Sequence, residues 1–212
     1  RFLETQESAR RVGIQEYEVL DNHDGELVPS LEVRRQIIRV IRKWKADIVI
    51  APRPNDYHPD HRYTGVLVQD AAYMVVVPNI VADTPPLENN PIFLYYSDNF
   101  QKPAPFRPDI VVPIDSVWDI KVNALDAHVS QFYEWLAWVD HKLDQVPADP
   151  KERKLWVGKM RIQAINEAVR KTLVDEIGEA AAAKVQNVEA FELCEYGRRP
   201  SIAELRKLFP IQ

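Results

Sequence analysis

The chain has 212 residues, 46% of them hydrophobic, with a net charge of −5 and one cysteine. That length and apolar content suffice for one sizeable core and read most simply as a single domain. No basic stripe argues for nucleic acid, no apolar run is long enough to span a membrane, and one cysteine excludes an internal disulfide.

Arg1 to Val12 reads as a helix, with Leu3, Ala9 and Val12 among its apolar positions and Gly13 closing it. Glu16 to Leu20 is a short strand candidate, followed by the polar turn Asp21-Asn22-His23-Asp24-Gly25. Ser30 can cap a helix to about Lys45, with Ile37, Ile38, Ile41 and Trp44 on one face. Arg34, Arg35, Arg39, Arg42 and Lys43 fall largely on the other, which reads as a solvated basic surface. Asp47 to Ala51 is a strand, and a helix is expected from Arg62 to about Val76. Val77 to Asn90 is loop. Pro91 to Tyr96 and Asp109 to Ile114 are near-continuous apolar runs, as strands covered on both faces would be.

Between those two strands, Ser97 to Pro108 carries Phe100, Lys102, Phe106 and Arg107, either lining a pocket mouth or simply connecting. A long helix is expected from about Ser116 to Leu143 and another over Lys151 to Lys184, separated by the breaker Val146 to Pro150. Trp135, Trp138, Leu143, Leu155, Trp156 and Met160 read as an interhelical core, with an aromatic sugar platform as the other reading. Val188 to Tyr196 is an edge-strand candidate in which Cys194 is a buried structural thiol, and Ser201 to Phe209 a final helix. Strands alternating with helices predict an α/β fold with a mainly parallel sheet.

The chemistry concentrates at His58-Pro59-Asp60-His61, between the strand and the helix that follows it. Two imidazoles and a carboxylate at the carboxyl end of a strand sit where open α/β sheets place their sites. A His there can ligate a metal while a neighbouring carboxylate fixes its tautomer, the other reading being a solvated loop. His23-Asp24 has a similar composition but occupies a turn, where ordinary turn chemistry is one reading and a ligand role the other. His128 is either a packed helix histidine bonded to a loop or a residue just behind a site, and His141 reads as surface. Asp21 and Asn22 either reach sugar hydroxyls at a pocket rim or make a local Asx turn.

A series of landmarks in order then carries a resemblance. Arg1-Phe2-Leu3-Glu4, Ala9, Gly13-Ile14, Asp24-Gly25-Glu26-Leu27, Ala46-Asp47-Ile48-Val49 and His58-Pro59-Asp60-His61-Arg62 resemble the PIG-L/LmbE-like deacetylases. Lys121 to Leu125, His128-Val129-Ser130-Gln131 and Glu189-Ala190-Phe191 continue it, and residues 132–165 look like a subgroup-specific helical insertion.

The resemblance implies a Rossmann-like three-layer fold and hydrolysis of an N-acetyl group from a small amino-sugar or glycoconjugate substrate with one zinc ion. Carried over by position, His61 is a zinc ligand and His58 the electrophilic or acid group. Asp60 is expected to orient a neighbouring imidazole, and Arg1 to reach the substrate. The family's A-H-P-D-D motif, which supplies the general base and two more zinc ligands, does not occur in this sequence. The resemblance places it after a first strand upstream of the opening helix, so the single domain over residues 1–212 is expected to be amino-terminally incomplete and, alone, poorly stable. A non-catalytic carbohydrate-binding relative or inactive fragment is the alternative. A cytoplasmic location and a homo-oligomer accord with the resemblance. The chain begins with Arg1 rather than Met, which leaves targeting open.

Overall fold

The structure is a computed structural model and describes residues 1–160 and 163–209. Its helices and strands in chain order begin with α1 (Phe2–Val12), α2 (Leu31–Trp44), β1 (Ile48–Ala51), α3 (Pro59–Met74), β2 (Ile92–Tyr96) and β3 (Ile110–Pro113). There follow α4 (Trp118–Asp126), α5 (Leu136–Val139), α6 (Pro150–Met160), α7 (Glu167–Ile177), α8 (Glu179–Ala182), β4 (Val188–Gly197) and α9 (Ile202–Leu208). The chain divides into two compact units, one of residues 1–21, 113–165 and 185–188, the other of residues 22–112, 166–184 and 189–212.

The second unit carries the sheet, in the order β1-β2-β4-β3. β1 runs parallel to β2, with Ile48 opposite Ile92 and Ala51 opposite Tyr95. β4 is antiparallel to β2, with Leu94 opposite Leu193. The amide of Asp109 bonds the Phe191 carbonyl and that of Ile114 the Asn187 carbonyl, so β4 is antiparallel to β3 as well. β1, β2 and β3 therefore share a direction, but the reversed β4 between them makes the sheet mixed rather than mainly parallel. β4 is also an interior strand, not the expected edge, because it pairs on both sides.

Alternation along the strands builds two cores. Phe93 and Cys194 meet Ile38 and Ile41 of α2, Ala71 and Ala72 of α3, and Val75 just after α3 on one face. Ile92, Leu94 and Ile110 meet Leu205 of α9 on the other, which makes three layers. Each fully buried side chain such as Ile38 or Leu94 contributes about 2 kcal/mol by leaving water. The ends of α2 and α9 follow the sequence: Ser30 accepts from the Val33 amide, and Ser201 and Glu204 form a capping box. One expectation for α2 fails. Arg42 belongs to no solvated face but is 3% exposed, its guanidinium bonded to the carbonyls of Met74, Val75, Val77, Ile80, Val81 and Thr84.

The first unit is helical. α1 ends at Gly13, whose φ of 82° is the left-handed conformation a residue with a side chain enters at a cost. It is fixed to α4 by the Ser8 hydroxyl on the Ala124 carbonyl and by Arg11 on Asp126 and the Asn123 carbonyl. Val122, Phe132, Tyr133 and Val157 form this unit's buried cluster. The expected strand Glu16 to Leu20 is irregular and mostly exposed, with no strand partner among the described residues.

The expected single helix from Ser116 to Leu143 is instead a 3-10 turn at Asp115–Val117, α4, a π-helical turn at Ser130–Trp135 and α5. These breaks change the phase of the helical stripe, and the expected interhelical core does not form. Trp135, Trp138, Leu143 and Leu155 are 48%, 58%, 49% and 67% exposed, whereas Trp156 does pack beside Tyr133. The other expected long helix is divided into α6, α7 and α8. Within it, residues 161 and 162 lie outside the described residues.

Candidate active site

The histidine loop is positioned by β1 and α3. Pro59 occupies the first turn of α3, where its missing amide costs nothing, and holds His58 extended at φ −88° and ψ 130° as the N-cap. α3 therefore begins at Pro59, three residues before the expected Arg62, and the whole motif lies at its first turn. Gly65, one turn further, sets how closely the helix approaches the loop. A Cβ there would lie 2.7 Å from the Pro52 carbonyl oxygen and 3.0 Å from atoms of Arg53 and Pro54.

The two imidazoles lie with ring centroids 4.8 Å apart and planes inclined by 31°. Tyr57 stands edge-on to both, at 5.8 Å from His58 and 5.6 Å from His61. Nδ1 of His58 lies 3.2 Å from the Asp60 backbone nitrogen. A backbone N–H can only donate, so Nδ1 accepts and the proton of the neutral ring sits on Nε2. Nδ1 of His61 lies 3.0 Å from Oδ1 of Asp56.

The carboxylate beside an imidazole nitrogen is therefore that of Asp56, not the expected Asp60. Asp60 turns to the rim: its Oδ2 accepts the Gly25 amide at 2.7 Å and its Oδ1 the Leu27 amide at 3.2 Å. This brings the turn after Asn22 against the start of α3, and Asp24, His58 and Asp60 offer ligand atoms within 4.8 Å of one another. A group of that composition can hold a metal ion. It includes Asp24, in line with the ligand reading of that turn, and does not include His61.

Asp21 and Asn22 lie exposed on the same turn. Arg1 and His128 belong to the first unit. Arg1 stands at the N-cap position of α1, its carbonyl accepting the Thr5 amide. His128 lies in the break after α4, half-buried, its ring edge-on to Phe132 at 6.4 Å. Burial pushes its pKa down against the opposing pull of Glu4, whose carboxylate holds Ser130 through both amide and hydroxyl. His23 and His141 are exposed.

Three residues escaped the sequence reading. Asp56 was read as part of the loop, although a carboxylate two residues before His58 was the available signal. Arg62 donates to the carbonyls of Asp56 and Tyr57 at 2.8 and 3.0 Å, closing the loop on itself. Arg53, 8% exposed, grips Asp98 at 2.7 and 2.6 Å and the carbonyls of Phe100 and Ala104. It lies 6.0 Å from the Phe106 ring centroid, so the Ser97 to Pro108 loop is fastened to the end of β1. Parallel pairing brings the carboxyl ends of β1 and β2 together, and both loops leave from there.

Comparison with known proteins adds to this geometry. Residues 1–72 match the PIG-L family model, described as GlcNAc-PI de-N-acetylase. Diacetylchitobiose deacetylase of Thermococcus kodakarensis is 33% identical over 148 residues, 65% of this chain and 52% of that protein. The solved N,N′-diacetylchitobiose deacetylase of Pyrococcus horikoshii superposes with a TM-score of 0.61 at 25% identity, covering 91% of this chain and 62% of its own. A conserved protein of Thermus thermophilus shares the fold alone, with a TM-score of 0.57 at 21% identity over 94% of this chain and 74% of its own. The chain thus spans about half the length of the curated relative. In its motifs, its family match over residues 1–72 and its fold, the chain is similar to the PIG-L/LmbE-like proteins.

Proposed function

We propose that this protein is a zinc-dependent N-deacetylase that hydrolyses the N-acetyl amide of a small amino sugar or glycoconjugate. The observation that carries the proposal is the pair of imidazoles in His58-Pro59-Asp60-His61. They lie 4.8 Å apart, and their Nδ1 atoms are engaged by opposite kinds of partner, a backbone amide at His58 and a carboxylate at His61. Two solved or curated relatives named for deacetylation of diacetylchitobiose support the same substrate class.

The donor chemistry fits one corner of a zinc site: His61 has a carboxylate on one ring nitrogen and, among the described residues, no hydrogen-bond partner on the other. Zinc, when bound, supplies Lewis acidity toward the amide carbonyl and an acidified water. His58, protonated on Nε2, donates a hydrogen bond to the carbonyl oxygen as charge develops there; the acid role the resemblance also implies would need the imidazolium, whose Nδ1–H would face the Asp60 amide. Asp60 holds the rim turn in place, so Asp21 and Asn22 are available to sugar hydroxyls. Arg1 is assigned to the substrate, and His128 to a place behind the site, on the family resemblance. Residues 132–165 are read as a subgroup-specific insertion.

A non-catalytic sugar-binding relative is the second reading. The observation favouring it is that the ligand atoms brought together, those of Asp24, His58 and Asp60, do not include His61, the zinc ligand that the resemblance implies. Intact mass, zinc content and acetate release from N,N′-diacetylchitobiose, measured on one purified sample, separate the readings. About one zinc per chain with acetate release supports the enzyme, and His58→Gln should then keep the zinc while lowering kcat roughly 100-fold or more. A mass equal to that of the 212 residues, with neither zinc nor acetate, would overturn the enzyme reading for this chain and leave an inactive fragment or a binding relative.

A further inference from the structure

We propose that Asp56 is the positioning residue of the histidine loop. It holds the His61 ring with its proton on Nδ1 and so keeps the Nε2 lone pair available for coordination. The inference deepens the proposed zinc site and takes its functional meaning from it.

Asp56 sits behind the rings rather than among them, its side chain 12% exposed against 44% for His61. One oxygen, Oδ1, meets both histidines of the motif, accepting the His58 backbone amide at 2.9 Å and facing His61 Nδ1 at 3.0 Å. Arg62 clamps the carbonyls of Asp56 and Tyr57, so the backbone carrying this carboxylate is held from the same helical turn that carries His61. Asp60, the acid inside the motif, is occupied by the Gly25 and Leu27 amides.

The consequence lies in the tautomer. A free neutral imidazole favours the proton on Nε2, which would deny that nitrogen to a metal. A carboxylate can only accept, so at His61 it draws the proton to Nδ1. His58 is set the opposite way by a backbone donor. Two rings of the same chemical type thus present a lone pair and a proton on their respective Nε2 atoms, one suited to coordination and the other to an oxyanion.

Two-bond proton–nitrogen NMR correlation of the histidine rings in the whole protein tests this without reference to activity. The wild type should show His61 protonated on Nδ1 and His58 on Nε2. Asp56→Ala should move the His61 proton to Nε2, leave the His58 pattern unchanged, and weaken zinc binding by about 10- to 100-fold in calorimetry. Should Asp56→Ala fail to fold, Asp56→Asn retains an acceptor oxygen without the charge. In that variant the His61 Nδ1 proton resonance should move upfield as the charge-assisted bond weakens. A wild-type His61 protonated on Nε2, an unchanged His61 pattern in Asp56→Ala, or an unmoved resonance in Asp56→Asn would overturn the proposal. The expected tautomers in a protein that binds no zinc would sink the deacetylase reading and leave the role of Asp56 in holding His61 standing.

Discussion

Two loops of the second unit are each fixed by polar side chains, to different ends. Around Arg42 the cluster is closed: a guanidinium 3% exposed gives its N–H groups to six backbone carbonyls, from all three of its nitrogens. Burial lowers the pKa of Arg42, while Asp83 pulls the other way. In the histidine loop Asp56, Arg62 and the Asp60 amide satisfy the backbone and one nitrogen of each ring. The remaining nitrogens are not consumed by that scaffold, and the His61 side chain is 44% exposed. A polar cluster that closes on itself stabilises the fold, whereas one that spares particular atoms can serve chemistry.

The largest effect should come from breaking the closed cluster. Arg42→Met leaves six carbonyls to find other partners and should cost roughly 3 to 5 kcal/mol. At about 2 to 4 °C per kcal/mol for a chain of this size, the melting temperature should fall by roughly 6 to 20 °C. The NMR pattern of His58 and His61 should stay as in the wild type. A perturbed histidine pattern in a folded Arg42→Met would show that the two clusters are not independent.

Gly65→Ala attacks the other region through its backbone. The new Cβ meets carbonyl and backbone atoms of residues 52–54, which cannot swing away as a side chain would. A loss of about 1 to 3 kcal/mol is expected, with the resonances of His58 and His61 shifted. Unchanged histidine resonances would mean that the approach of α3 does not set the loop.

Glu176 is an intermediate case. One oxygen accepts the Val111 amide at 3.3 Å, while the other is buried without a hydrogen-bond partner among the described residues. Burial pushes its pKa up to about 7 from 4.5. Because the folded value is the higher one, its stabilising contribution is complete below about pH 4.5 and is lost as pH rises through about 7. The whole shift corresponds to about 3 kcal/mol, and water access to a half-buried group reduces that to roughly 1 to 2 kcal/mol. Glu176→Gln keeps the acceptor and should match the wild type near pH 4.5 while exceeding its stability by that amount at pH 8. Equal melting curves at both pH values would mean the carboxyl is well solvated.

Much of this architecture was legible one-dimensionally, because its determinants are local. Ser30, Ser201 and Gly13 end their helices through atoms a few residues away, and the apolar runs 91–96 and 109–114 need only their own composition to read as buried strands. The histidine motif was legible for the same reason, since Pro59 and the preceding strand place both rings at one helix start. What was misread depends on distant partners. β4 is interior because β2 and β3 flank it, a fact of pairing across about a hundred residues of sequence. Arg42 looked like one more surface cation until the turn at residues 74–84 closed around it. Trp135 and Trp138 looked like core because a one-dimensional stripe presumes an unbroken helix, and the π-helical turn interrupts it.

The sequence by itself therefore determined most element types and the position of the two histidines, which short-range sterics and periodicity set, while its ordered motifs carried the family likeness. Only the tertiary structure decided which carboxylate serves which imidazole. Asp60 lies nearest in the motif, but its oxygens go to the amides of a turn more than thirty residues earlier, and Asp56 is left to hold His61. A hydrogen bond follows proximity in space and the competition of other donors, and spacing along the chain records neither.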